Sequence, residues 1–145
     1  MKRNASFREQ LRRNAVALIS LVIAITSLGY NTWRNEASES NRNQRLIAIE
    51  MLVMLGDLQR LTMDRHYGRD NDSAAILRAA WAKVLTIRDL SRVASGDVPE
   101  SAQALHATWD DYHDSLGKDT EAVNAVIAAL EALRGDIHDV LRSLE

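Results

Sequence analysis

The chain has 145 residues, of which 46% are hydrophobic and only 5% aromatic, with a single Pro and no Cys. Without cysteine there is no disulfide framework, no acylated cysteine anchor and no thiolate metal ligand, and few aromatics with almost no Pro favour helices over sheets. The formal charge of −2 is unevenly spread: residues 1–13 carry five Arg or Lys and one acid, the rest thirteen basic and nineteen acidic residues. Beyond its N-terminus the chain is therefore a poor binder of nucleic acid, which requires neutralised phosphates.

Ala15 to Leu28, AVALISLVIAITSL, is fourteen residues without a charge, Gly or Pro. A helix crossing a bilayer needs roughly twenty residues at about 1.5 Å each. The uncharged stretch from Asn14 to Trp33 has twenty, so it is expected to be a transmembrane helix. Tyr30 and Trp33 lie three apart at its end, where amphipathic rings favour the headgroup layer and act as an interfacial anchor. Lys2, Arg3, Arg8, Arg12 and Arg13 on the other flank predict a cytoplasmic N-terminus. The expected location is the inner (cytoplasmic) membrane, single-pass, with the C-terminal domain periplasmic or extracellular.

Two other readings compete. A secretory signal peptide has the same basic start and apolar run, and Ser27-Leu28-Gly29 fits a small-x-small cleavage site. Against cleavage, no helix breaker precedes Gly29 and helical character resumes beyond it. A buried soluble helix would not carry five basic residues against an uncharged run. Within the span, Ala17, Ser20, Ala24 and Ser27 recur at spacings of 3, 4 and 3. Small and hydroxyl residues on one face let helix backbones approach in lipid, which points to membrane-helix association.

Residues 34–45 are polar but lack Pro and Gly, so the helix is expected to continue as a stalk. Trp33, Ala37, Ser40, Gln44, Ile47, Met51, Met54, Leu58 and Leu61 alternate spacings of 4 and 3, a heptad seam. Gln44 is expected to hydrogen-bond across that seam to another copy. A second row, Leu46, Ile49, Val53 and Gly56, would widen the buried face. This helix should end near Tyr67-Gly68.

A second helix, capped by Asp72 or Ser73, is expected to reach about Ser95, with Ile76, Ala80, Ile87, Leu90 and Ala94 as its stripe, Leu77, Trp81 and Val84 beside it, and Gly96 at C′. Asp97, Pro99 and Glu100 predict a third helix with a capping box. Its seam is Ala102, Leu105, Trp109, Tyr112 and Leu116, and Gly117 closes it. The fourth starts at Asp119 or Thr120 with the seam Val123, Val126, Leu130, Leu133, Ile137, Val140 and Leu144. Trp81, Trp109, Tyr112, Leu130 and Ile137 are expected to be largely buried.

The predicted architecture is all-α: a basic cytoplasmic tail at 1–13, one transmembrane helix at 14–33, a stalk at 34–45, and an antiparallel up-down four-helix bundle at 46–145. The order of parts, a basic N-terminus, a span and a helical bundle, resembles the periplasmic sensor domain of bacterial chemoreceptors. That resemblance rests on layout alone. It implies no functional residue, and the second span and cytoplasmic signalling helices of those receptors have no counterpart here.

Few residues carry a chemical signature. His106, Asp110 and His113, with Asp114 beside them, fall along one helical face and are the nearest approach to a metal-ligating set. No HExxH or ExxH pattern accompanies them, and they border the seam at Leu105 and Tyr112. Arg65, His66, Arg69, Asp70 and Asp72 surround the first turn, where a small anion is the conceivable ligand and a solvated charged turn the plainer reading. His138 reads as a surface group. No nucleophile–base pair, phosphate-binding loop or paired-acid arrangement is present, so the chain is not expected to be an enzyme or to need a cofactor. The expected function is a membrane-anchored interaction or scaffold protein. Its expected partners are the lipid bilayer and either further copies, as a homo-oligomer, or a membrane protein subunit. The alternative is a ligand-sensing or binding bundle that acts with a separate membrane signalling subunit.

Overall fold

The computed structural model describes residues 14–68 and 73–144. The basic residues of 1–13, the turn residues Arg69, Asp70 and Asp72, and the cap expected at Asp72 lie outside the described residues. Among those described there are four helices and no strand: α1 (Ala15–Tyr67), α2 (Ser73–Ser91), α3 (Val98–Tyr112) and α4 (Thr120–Ser143). The chain divides into two compact units, Met1–Ser40 and Asn41–Glu145, and α1 contributes to both.

Among the described residues of the first unit, α1 is the one helix, apolar up to Trp33. From residue 16 onward every one of its side chains is exposed, and an 18-residue window has a mean hydropathy of 1.7. It is long and apolar enough to cross a membrane. Thr32 Oγ1 donates within the helix to Leu28 O at 2.9 Å.

The second unit is held by one hydrophobic core to which all four helices contribute. From α1 come Ala48, Met51, Leu55, Leu58 and Leu61; from α2, Ala80, Val84 and Ile87. α3 adds Val98, Ala102, Leu105 and Trp109, and α4 adds Ala122, Val123, Val126, Leu130, Leu133, Ile137 and Val140. Two hydroxyls are sealed in this core without an energetic penalty, because each returns to its own helix. Thr62 Oγ1 donates to Leu58 O at 2.8 Å, and Ser91 Oγ to Arg88 O at 2.7 Å.

Several expectations need correction. The second row of α1 does not widen the buried face: Leu46, Ile49 and Val53 are exposed, while Ala48 and Leu55 take the core positions. Ile47 and Met54 are only partly buried. Trp109, Leu130 and Ile137 are fully buried as expected, and Trp81 and Tyr112 are partly buried, packed against the core. α2 ends at Ser91, short of Ser95, where Val93 N and Ala94 N close on Leu90 O and Ser91 O in tight three-residue bonds. Gly96 lies beyond that turn with φ at +65°, and a Cβ there would stand 3.1 Å from Val140 Cγ2. Glycine alone meets both demands cheaply. α3 stops at Tyr112, yet Leu116 still folds back into the core.

The two N-caps part company. Asp119, one of the two expected starts of α4, is its N-cap, accepting from Glu121 N at 2.9 Å. Asp97 makes no side-chain cap; its backbone carbonyl accepts instead from Glu100 N and Ser101 N, each at 3.1 Å. The expected capping box is therefore absent.

Candidate functional site

The histidines of α3 are structural neighbours of a tryptophan. Trp81 lies edge-on to His106, His113 and Trp109, with ring centroids 5.9, 5.2 and 6.4 Å away. Arg88 Nη1 approaches His106 Nε2 at 3.2 Å; since a guanidinium only donates, the ring nitrogen accepts. His113 Nδ1 donates to the carbonyls of Trp109 and Asp110 at 3.1 and 3.0 Å, and Asp114 lies 3.5 Å from its Nε2. Each ring is thus held by hydrogen bonds within its own unit, and a guanidinium stands where a cation would approach His106. Among the described residues no three His, Asp or Glu side chains converge as a metal site.

At the end of α1, His66 Nδ1 donates to Leu116 O at 2.6 Å and its ring meets Tyr67 edge-on at 4.4 Å. The Arg65 guanidinium lies 3.4 Å from where a Cβ on Gly117 would sit. Both side chains face the chain that follows α3. The other turn residues expected to join them, Arg69, Asp70 and Asp72, are outside the described residues. His138 is exposed on α4.

Two stretches of α1 carry the exposed apolar surface. The first is residues 16–33, including the small row Ala17, Ser20, Ala24 and Ser27, all exposed. Tyr30 and Trp33 close it as a pair, their ring centroids 6.1 Å apart and tilted by 47°. The second is Leu46, Ile49 and Val53, which with Glu50, Met54 and Lys83 line a shallow groove. Lys83 Nζ donates to Asp57 Oδ2 at 2.6 Å. That hydrogen bond, together with the ammonium charge, holds the Asp57 carboxyl below its ordinary value of 3.8.

Gln44 is not free for another copy. Its Nε2 donates to Val93 O at 2.8 Å, and its Oε1 accepts from Ser95 N and Ser95 Oγ at 3.0 and 3.2 Å. Heptad spacing placed it correctly on a seam, but the partner is the same chain. Compared with known proteins, the chain matches no protein family, no curated protein and no solved structure.

Proposed function

We propose that this protein is a membrane-anchored interaction protein. The first part of α1 sits in a bilayer with residues 1–13 in the cytoplasm, and the unit Asn41–Glu145 lies outside as an up-and-down four-helix bundle. The observation that carries this reading is the apolar stretch of α1: mean hydropathy 1.7 over 18 residues, none of it buried against the rest of the chain. Leaving that surface in water is costly, at about 25 cal/mol per Å², and lipid removes the cost. Tyr30 and Trp33 at one end and the basic cluster at the other supply the interfacial and orienting groups a span uses.

The antiparallel arrangement is supported by hydrogen bonds at opposite ends of the second unit. Gln44 meets Val93 and Ser95, and Arg45 Nη2 donates to Leu144 O at 2.6 Å, all near the start of the part of α1 that belongs to the second unit. His66, near its other end, meets Leu116. Midway, Lys83 meets Asp57, and Arg134 Nη2 donates to Gln59 Oε1 at 2.8 Å. Helices that alternate in direction produce this pattern. Contact through the bundle and the span, with further copies or a membrane subunit, is the role left to such a chain. The small row Ala17, Ser20, Ala24 and Ser27 is the face proposed to meet other helices in lipid.

The test is a compartment-specific reporter fused after Glu145. Activity only outside the cytoplasm supports the orientation, and cytoplasmic activity reverses it. Recovery of a mature chain beginning at Tyr30 would replace the anchor with a cleaved signal.

A further inference from the structure

Leu46, Ile49 and Val53, spaced three and four apart, are 57%, 53% and 63% exposed. At about 100° per residue they fall within roughly 60° of one another, on the side of α1 opposite Ala48, Met51 and Leu55. The core therefore has no use for them. The next position in the row is Gly56, mid-helix, where a Cβ would meet nothing within 4 Å. Such a glycine costs about 1 kcal/mol of helix stability relative to Ala. Nothing in its own chain crowds it. A gap in line with three exposed aliphatic side chains is what close approach of another backbone uses.

The charges beside the row indicate what approaches. With Leu46 and Val53 as a positions and Ile49 and Gly56 as d, the e flank is Glu50, Asp57 and Asp64, and the g flank is Arg45, Leu52 and Gln59. In an antiparallel pair e faces e, setting acid against acid. In a parallel pair g faces the e position five residues on, so Arg45 meets Glu50 of the other helix. One nitrogen of Arg45 is committed to Leu144 O, and a guanidinium carries five N–H donors. Asp57 and Asp64 are already paired with Lys83 and Arg60 of their own chain, so the pairing of Arg45 with Glu50 is what favours the parallel direction.

We propose that Leu46, Ile49, Val53 and Gly56 form a docking surface for α1 of a second copy, parallel and in register. This rests on the anchored reading, because copies inserted in the same sense bring their second units to the same side of one bilayer. The row is far smaller than the about 800 Å² per partner of a typical stable interface. Tethering compensates by raising the effective concentration toward the millimolar range.

The chain has no Cys, so single-cysteine variants of the full chain in membranes report directly. L46C, I49C and V53C should each give disulfide-linked dimers on oxidation, and the exposed α3 controls A104C and A107C should remain monomeric. A parallel, in-register pair brings every like residue together, whereas an antiparallel pair does so at one point only. Linking at a single position, or equal linking at the controls, overturns the proposal, as does an adduct to a different protein at the row. Adding R45E to I49C should reduce linking several-fold by setting acid against Glu50, and adding E50R as well should restore it. Loss of the Arg45–Leu144 bond would not be repaired by E50R, so failed rescue overturns the charge pairing. Sedimentation of the same samples separates the two ways of failing. Monomers in the membrane pellet overturn the docking surface and leave the anchor standing; chains in the supernatant overturn the anchor itself.

Discussion

The two parts of α1 use similar residues to opposite ends. Residues 16–33 are mostly Leu, Ile, Val and Ala, and every one is exposed; residues 48–61 are rich in the same types, yet Ala48, Met51, Leu55, Leu58 and Leu61 are buried. The difference lies in what stands between the apolar positions. In the first part nearly every position is apolar or small, so no charge separates one face from another, and only the small row Ala17, Ser20, Ala24 and Ser27 distinguishes a side. In the second, Glu50, Asp57 and Arg60 interrupt the pattern and mark a helix that meets water on part of its surface, without choosing which apolar row is buried. Helical structure is common to both, and the charges are what distinguish them.

The largest effect that would break this comparison is in the core. Leu130 is fully buried, so Leu130→Ala should cost about 2–5 kcal/mol by chemical unfolding, transfer and cavity terms together. A change under about 0.5 kcal/mol would remove α4 from the core it is described as forming. Next, Ile23→Arg puts a charge near the middle of the first part, at about 2.5–3.5 kcal/mol on the insertion scale. Membrane sedimentation of the full chain should fall sharply. An unchanged pellet would show that lipid is not what surrounds this segment.

A smaller effect sharpens the boundary between the parts. Ile49→Ser, on the outward row, should leave the unfolding free energy of one chain within about 0.5 kcal/mol. A loss of several times that would mean the row packs inside. The smallest effect is electrostatic. Because Lys83 holds the Asp57 carboxyl below 3.8, the pair's contribution is present above the unfolded value and is lost as pH falls through the lowered one. Unfolding measured across about pH 5 to 2 should therefore show less acid-side loss in Lys83→Met than in the parent. Identical profiles would show that the pair contributes nothing in solution.

Most of the local structure was legible because it has local causes. Asp119 was readable as a cap, since Asp before a periodic run offers a carboxylate to the first free N–H groups. The α4 seam was equally plain: Val123, Val126, Leu130, Leu133, Ile137 and Val140 are buried, and Leu144 at its end is partly buried. The end of α1 at Tyr67 agrees with the Gly68 that follows it. The histidine face of α3 was visible as a pattern, but its Trp81 and Arg88 neighbours come from α2, which spacing on α3 does not reveal.

What the sequence by itself determined is the number, type and approximate span of the helices, and the apolar stretch long enough for a bilayer, because backbone propensity, capping and periodicity act over a few residues. What only the tertiary structure decided is which apolar row of α1 has a partner. LIAIEMLVML, residues 46–55, is apolar nearly all round, and periodicity does not rank Leu46–Ile49–Val53 against Ala48–Met51–Leu55. The other three helices make that choice by supplying a core on one side alone. The same packing ended α2 at Ser91, with the tight turn after it and Gln44 bonded to Val93 and Ser95 beyond. Gln44 also shows the physical reason: a polar residue on a heptad seam needs a hydrogen-bond partner, and whether its own chain or another supplies it depends on contacts about fifty residues away in sequence.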